Sequence, residues 1–248
     1  MDAAVHVERL TKSFKKFQFG PVQFTAEKGT ATAVVGPNGS GKTTFFRMLM
    51  KLIREDEGTI EIFGMDANEH ETKLKQWIGY AGGQFQGLGQ LTINEIARFC
   101  AYWHANWNHD RFAALAKRYD IDLAQRYNKC STGTQKKVEI AIALSHAPKL
   151  LLLDEPTAGV DMISQRKIKE DLTNFLDEDS EHTLIMSTHA ADDVKSLCDY
   201  ICVLHQGKLA GTYDKDEIVQ RWARIWIDAK LDQVAAHPAV IEVDRQSK

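Results

Sequence analysis

The chain has 248 residues, 44% hydrophobic and 26% charged, which is enough for one large α/β domain, or a domain with a subdomain, around a full core. A formal net charge of −3 gives no general pull toward nucleic acid or anionic lipid. No apolar run approaches the roughly 18 residues of a membrane span, and the opening Met1 to Val7 lacks the basic flank and long apolar core of a signal peptide.

Val5 to Leu10 alternates as a half-buried strand does. Thr11 to Phe17 reads as a polar turn carrying aromatics, in which Phe14 by itself reads as a core residue. Phe17 to Phe19 and Val22 to Thr25 are expected as separate strands punctuated by Gly20-Pro21, before a turn at Glu27 to Thr30. Ala31 to Val35 is a buried strand, and Phe45 to Ile53 reads as a helix. Between them stands Gly36-Pro37-Asn38-Gly39-Ser40-Gly41-Lys42-Thr43-Thr44. Strand, Gly-rich loop and helix form the context in which G-x-x-x-x-G-K-[ST] becomes a phosphate cradle. The glycines let several N–H groups converge on one anion, and the helix N-terminus adds partial positive charge. Lys42 is expected to reach the β- and γ-phosphates, and the Thr43 hydroxyl to ligate Mg²⁺. A Gly-rich turn with a chance lysine would not explain both flanks. The stretch therefore predicts a nucleoside triphosphate ligand.

Downstream, Glu55 to Gly58 is a turn, Thr59 to Gly64 a strand, Lys73 to Gln76 helical, and Trp77 to Tyr80 a buried segment. Ala81 to Gln90 is a Gly/Gln loop and a hinge candidate. Thr92-Ile93-Asn94-Glu95 is a capping box opening a helix through Ile96, Phe99 and Trp103. Trp107 to Tyr119 gives a second amphipathic helix, and Ser131 to Ala147 a third, stopped by Pro148. The expected organisation is a nucleotide-binding α/β core over 1–84 and 146–215, a helical subdomain over 85–145, and a small accessory segment over 216–248 with strands at Arg224 to Asp228 and Ala239 to Val243.

Leu150 to Leu153 reads as a strand buried on both faces, placing Asp154 and Glu155 at its C-terminal end, where α/β sheets bind ligands. Beside a phosphate loop, Asp154 suits Mg²⁺ as the partner of Thr43, and Glu155 suits the polarising of an attacking water. Met162 to Asp177 is a charged amphipathic helix, Thr183 to Ser187 a core strand ending at Thr188-His189, and Asp199 to Leu204 with the turn at Gln206-Gly207 a closing hairpin. Cys100, Cys130, Cys198 and Cys202 lack zinc-type pairing and read as buried thiols. Cys198 and Cys202 either share a helix face or straddle a helix-to-strand junction. His104 and His109 cluster locally without an evident third ligand.

Taken together, residues 5–215 resemble an ATP-binding-cassette (ABC) ATPase. Gly36 to Thr44 matches that family's phosphate loop, and Leu150 to Glu155 its metal-binding strand with the catalytic glutamate. Ala158-Gly159-Val160-Asp161 resembles its D-loop, and Ser187-Thr188-His189 its switch-histidine segment. The resemblance implies a P-loop NTPase (RecA-like) α/β core with an inserted helical subdomain, using ATP and Mg²⁺. It makes Phe14 the adenine-stacking aromatic, reversing the core reading, and makes His189 a γ-phosphate sensor where the residues alone equally allow a core histidine at a strand end. It adds Asp161, with Ser131 and Gly133, to the groups around nucleotide.

Two departures from the family pattern stand out. The signature Leu-Ser-Gly-Gly-Gln is here Cys130-Ser131-Thr132-Gly133-Thr134, which keeps Ser131 and Gly133 and loses the glutamine. In the family this segment serves the γ-phosphate of the opposite protomer, so the change hints at a heterodimer. In the Q-loop, Gly83 stands at the usual glutamine position, and Gln84, one residue later, is the candidate contact to nucleotide and Mg²⁺. The implied function is ATP hydrolysis in a head-to-tail dimer, homomeric or heteromeric, that powers a separate integral membrane permease from the cytoplasmic face of the membrane, with no nucleic-acid partner. The stretch Trp103 to Trp107 looks most like export-type cassettes. The competing class is a non-transport ABC ATPase. A single cassette without a coiled-coil insertion or basic stripe leaves the iron–sulfur assembly type as its surviving member. A small-molecule kinase would lack the signature, D-loop and switch histidine.

Overall fold

The computed structural model describes residues 2–221; the strands expected at Arg224 to Asp228 and Ala239 to Val243 lie outside the described residues. In chain order the elements are β1 Ala3–Phe14, β2 Phe17–Glu27, β3 Ala31–Val35, α1 Lys42–Leu49, β4 Glu57–Ile62, β5 Met65–Asp66, α2 Glu71–Trp77 and β6 Ile78–Ala81. There follow α3 Ile93–Trp103, α4 His109–Arg118, α5 Thr132–Leu144, β7 Leu150–Asp154, α6 Met162–Glu178, β8 Thr183–Ser187, α7 Ala191–Leu197, β9 Tyr200–His205, β10 Lys208–Asp214 and α8 Lys215–Arg221.

The strands form two sheets. One is antiparallel, in the order β2-β1-β4-β5. The other runs β10-β9-β3-β8-β7-β6 and is parallel except for β10. The leucine run of β7 shows how the parallel sheet is held. Successive side chains of a strand point to opposite faces. Leu150 and Leu152 accordingly enter the core shared with α1 and the antiparallel sheet, and Leu151 and Leu153 the core shared with α3, α4, α5 and α6. Helix α1 fills the space between the sheets: Phe45 stacks on Phe19 of β2 at 6.0 Å and meets Phe24 edge-on at 5.2 Å. The phosphate loop is thereby pinned at its helical end by aromatic packing.

The capping box at Thr92 forms as read: Thr92 Oγ1 accepts from Glu95 N–H at 3.2 Å while the Glu95 carboxylate accepts from Thr92 N–H at 2.8 Å. Helix α5 carries a buried carboxylate, Glu139, which accepts from the Tyr127 hydroxyl and, at 3.1 Å, from Gly83 N–H in the Gly/Gln loop.

Several local expectations change. Thr11 to Phe14 is strand, not turn, because it pairs with β2, Lys12 opposite Phe19 and Phe14 opposite Phe17, while Asp56 accepts from Ser13 N–H at 2.7 Å and pairs with Lys12 at 2.6 Å. Gly20-Pro21 interrupts no strand: Gly20 N–H bonds Gly207 O at 2.7 Å, and β2 passes through. Helices α7 and α8 and strand β5 went unread; at two to seven residues each is too short to show a period. All four cysteines are buried, and Cys198 and Cys202 straddle the junction between α7 and β9.

Candidate nucleotide site at the C-terminal edge of the parallel sheet

The loop from Gly36 to Gly41 leaves β3 and turns into α1 through a tight channel. A Cβ on Gly36 would lie 2.0 Å from Leu204 O of β9, and one on Gly41 would lie 2.9 Å from the Phe19 ring. Gly41 also holds φ +108°, a left-handed value, where it caps α1. Asn38 and Gly39 at the loop tip are exposed, and Thr44 is half-buried on the first turn of α1. Ser40 is anchored by its main chain, N–H to Pro37 O at 3.1 Å and carbonyl to Gly207 N–H at 2.8 Å. Its buried Oγ has no hydrogen-bond partner.

Lys42 lies under the loop, 7% exposed. Its ammonium donates to Gly36 O at 2.7 Å, to Pro37 O at 3.3 Å and to His189 Nε2 at 3.1 Å. An ammonium has protons and no lone pair, so His189 Nε2 is the acceptor and its ring proton sits on Nδ1. Glu155 Oε1 approaches the same Nε2 to 3.2 Å but receives no proton from it, and is left a buried acceptor without a donor. Lys42, His189 and Glu155 thus form one chain of contacts running from the loop to the carboxylate.

Asp154 is braced on both oxygens. Thr43 Oγ1 donates to Oδ2 at 2.7 Å, and Ser187 Oγ donates to Oδ1. The second bond follows from strand register, since Asp154 and Ser187 stand opposite each other in the parallel pair β7–β8. Glu155 departs from the strand with φ +54°, a conformation costing an L residue roughly 1–2 kcal/mol. Its N–H is held by Ser187 O and Ser187 Oγ, both at 3.1 Å. Nearby Tyr80 is buried, and burial followed by the Asp154 charge pushes its phenol up to about 12.

The residues present fit a magnesium nucleotide. Thr43 and Asp154 offer the hydroxyl and carboxylate oxygens, 2.7 Å apart, that a hard cation prefers. The partnerless Ser40 Oγ and Glu155 Oε1 add unsatisfied polar atoms at the loop and at the carboxylate.

Ser187, legible as the end of a core strand, and Asp193, which the sequence does not signal, support the site. Asp193, 1% exposed on α7, accepts from Thr157 Oγ1 at 2.5 Å and Thr188 Oγ1 at 3.0 Å, and pairs with Lys169 of α6 at 2.9 Å. It ties the segment after Glu155 to the segment carrying His189. The strand position of Ser187 was a readable signal; Asp193, on an unread helix, had none.

The other predicted residues divide. Phe14 is 42% exposed at the end of β1, packs on Phe17 at 6.2 Å, and is no core residue. Phe17 in turn borders Gly41, 3.1 Å from where a Cβ would stand. Ser131 caps α5, accepting from Thr134 N–H at 3.1 Å, with the two hydroxyl oxygens 2.9 Å apart. A Cβ on Gly133 would sit 2.5 Å from Gly159 O, so the signature helix lies directly on the D-loop-like turn. Asp161 caps α6 by accepting from Ser164 N–H at 2.9 Å, and that N–H holds its carboxyl below the usual range. Gln84 is not brought into the Thr43–Asp154 cluster by any hydrogen bond: its amide accepts from Gly82 N–H at 2.9 Å and donates to Tyr80 O at 2.5 Å. His104 stacks not on His109 but on buried His146, with ring centroids 3.9 Å apart.

Comparison with known proteins converges on one family. The family model described as ABC transporter matches residues 19–158. The ABC transporter ATP-binding protein NatA of Bacillus subtilis (strain 168) is 32% identical over 194 residues, covering 76% of this chain and 78% of that protein. The ABC transporter ATP-binding protein YtrB of the same organism is 30% identical over 206 residues, covering 82% and 69%. The fold is similar to a dimeric post-hydrolysis structure of the ATP-binding cassette MJ0796 bound to ADP and Pi, with a TM-score of 0.75 and 24% identity over 85% of this chain and 98% of that one.

Proposed function

The chain belongs to the ABC transporter family as an ATP-binding, ATP-hydrolysing subunit, and on that premise we propose that Lys42, Thr43, Asp154, Glu155 and His189 carry MgATP hydrolysis within a head-to-tail dimer. The observation that carries this reading is the continuous run of contacts from Lys42 through His189 to Glu155, beside the Thr43–Asp154 pair. Phosphoryl transfer depends mostly on positioning and charge stabilisation, so each group has an electrostatic task. Lys42 exchanges its bonds to Gly36, Pro37 and His189 for phosphate oxygens. His189 Nε2 then loses its donor, and with the ring proton carried on Nε2 instead of Nδ1 the imidazole can donate to a γ-phosphate oxygen. Glu155 orients or deprotonates the attacking water. Thr43 and Asp154 hold Mg²⁺, which when bound neutralises charge on the phosphates. Phe14 is the exposed face for the adenine, while Ser131, Gly133 and Asp161 face the nucleotide of the opposing subunit. The domain division proposed is a core over 1–84 and 146–215 and a helical subdomain over 85–145.

Among the described residues no helix is long and apolar enough to cross a membrane. We place the transport path in a separate integral membrane permease that docks near the Gly/Gln loop and α3, which puts this subunit at the cytoplasmic face of the membrane. The test is the mass in solution of the Glu155→Gln variant, by light scattering with and without MgATP. Binding without hydrolysis should trap the closed state and double the mass, alone or with a second ATP-binding subunit. A variant that binds no MgATP refutes the assignment of the site.

A further inference from the structure

The peptide joining Asp154 to Glu155 is held from both sides. Its N–H donates to the carbonyl and hydroxyl of Ser187, both at 3.1 Å. Its carbonyl, Asp154 O, accepts from Lys136 Nζ at 2.5 Å. Lys136 belongs to α5, about one turn beyond the cap residue Ser131, and α5 packs against β6 and β7. Its half-buried side chain spans from the signature helix to the end of the strand that bears both carboxylates.

The clamp falls where the backbone needs one. Glu155 is not glycine, yet it holds φ +54°, a value an L residue leaves when free to relax because its Cβ crowds the backbone. The angle φ is the rotation about N–Cα, so it is fixed by the orientation of the peptide plane that precedes the residue. Donors and acceptors gripping opposite edges of that plane prevent its rotation. One of them is an ammonium, and charge-assisted hydrogen bonds are roughly twice as strong as neutral ones. A neutral donor at this place would make the weaker, uncharged kind of bond.

We propose that Lys136 is a positioning residue for hydrolysis. It holds the Asp154–Glu155 peptide so that the Glu155 carboxylate stays aimed at His189 and the reacting water, and it carries the placement of the signature helix into this chain's own site. The proposal rests on the assigned role of Glu155, while the bond itself can be tested without that role.

The test is Lys136→Met, which keeps the length of the side chain and removes its charge and donors. The full chain labelled with ¹³C′-Asp and ¹⁵N-Glu gives one correlation for each Asp–Glu peptide, at 56–57, 154–155, 177–178 and 216–217. Glu155→Gln removes and so identifies the second. In Lys136→Met the 154–155 correlation should move while the other three stay, the three fixed signals reporting an intact fold. MgATP affinity and KM should hold, and kcat should fall about tenfold or more, the scale expected when a reacting group is misplaced by part of an ångström. An unmoved 154–155 correlation overturns the clamp, and a moved correlation with unchanged kcat overturns its role in hydrolysis. Loss of MgATP binding by the wild-type chain would count against the assigned site and leave the peptide measurement standing.

Discussion

The phosphate-loop side of the molecule and the signature side are built on opposite plans. On the first, Lys42 and Asp154 are buried, and their side chains are tied to residues of other elements, His189, Thr43 and Ser187. On the second, Ser131 is exposed and its hydroxyl is engaged only locally, with Thr134. Thr134 itself replaces the family's glutamine. The first region is the one proposed to take up nucleotide by exchange of partners. The second is a helix N-terminus with an exposed cap residue, proposed to serve the nucleotide of an opposing subunit. Changes on the first side should therefore act on this chain's own nucleotide, and changes on the second on that of its partner.

The sharpest way to break the comparison is Lys42→Ala. It removes the cation under the loop and leaves Gly36 O, Pro37 O and His189 without their donor. Hydrolysis should drop about a thousandfold or more, the scale set by losing a charged transition-state partner, and titration with a fluorescent nucleotide should show weakened binding. If MgATP binds with wild-type affinity, the loop is not the cradle.

A smaller and more selective effect belongs to Gly133→Ala. The added Cβ meets Gly159 O at 2.5 Å, a backbone atom that cannot swing away. Overpacking of this kind costs about 1–3 kcal/mol, and here it pushes the signature helix off the D-loop-like turn. In the Glu155→Gln background, MgATP affinity should stay within about threefold while ATP-driven association weakens about tenfold, the equivalent of 1.4 kcal/mol. Equal losses in both would erase the distinction between the two sides.

The comparison was only half legible in the sequence. The phosphate loop and the leucine strand announce themselves because each needs contiguous residues of fixed type: a glycine at the crowded turn of Gly41, apolar side chains on both faces of β7. The bracing does not. Ser187 meets Asp154 through sheet register, Asp193 reaches Thr157 and Thr188 from a seven-residue helix, and Glu139 finds Gly83 across the helical block. Those contacts depend on chain segments brought together by folding, which no local period encodes. Phe14 shows the limit from the other side: the residues alone suggest a core aromatic, the family resemblance suggests an open one, and its ring is exposed beside Phe17.

The effect with the least bearing on nucleotide concerns a histidine outside this division. Burial, and then the neighbouring His104, push His146 down from 6.5 to about 3. The fold favours the neutral ring, so the stability it contributes is complete above about pH 6.5 and is lost progressively as pH falls toward 3, by up to about 1.4 kcal/mol per pH unit. Urea denaturation at pH 7, 6 and 5 should show that slope, and His146→Gln should flatten it. An unchanged slope would assign the acid sensitivity to other groups.

Helix α5 touches three loops at three successive heights: Gly133 lies on Gly159, Lys136 holds Asp154 O, and Glu139 holds Gly83 N–H. A rigid rod bearing on three levers moves all of them in one stroke. The loop proposed to meet the permease, the strand end that carries the carboxylates and the turn proposed to face the second subunit are therefore expected to keep common time, each shifting when the helix shifts.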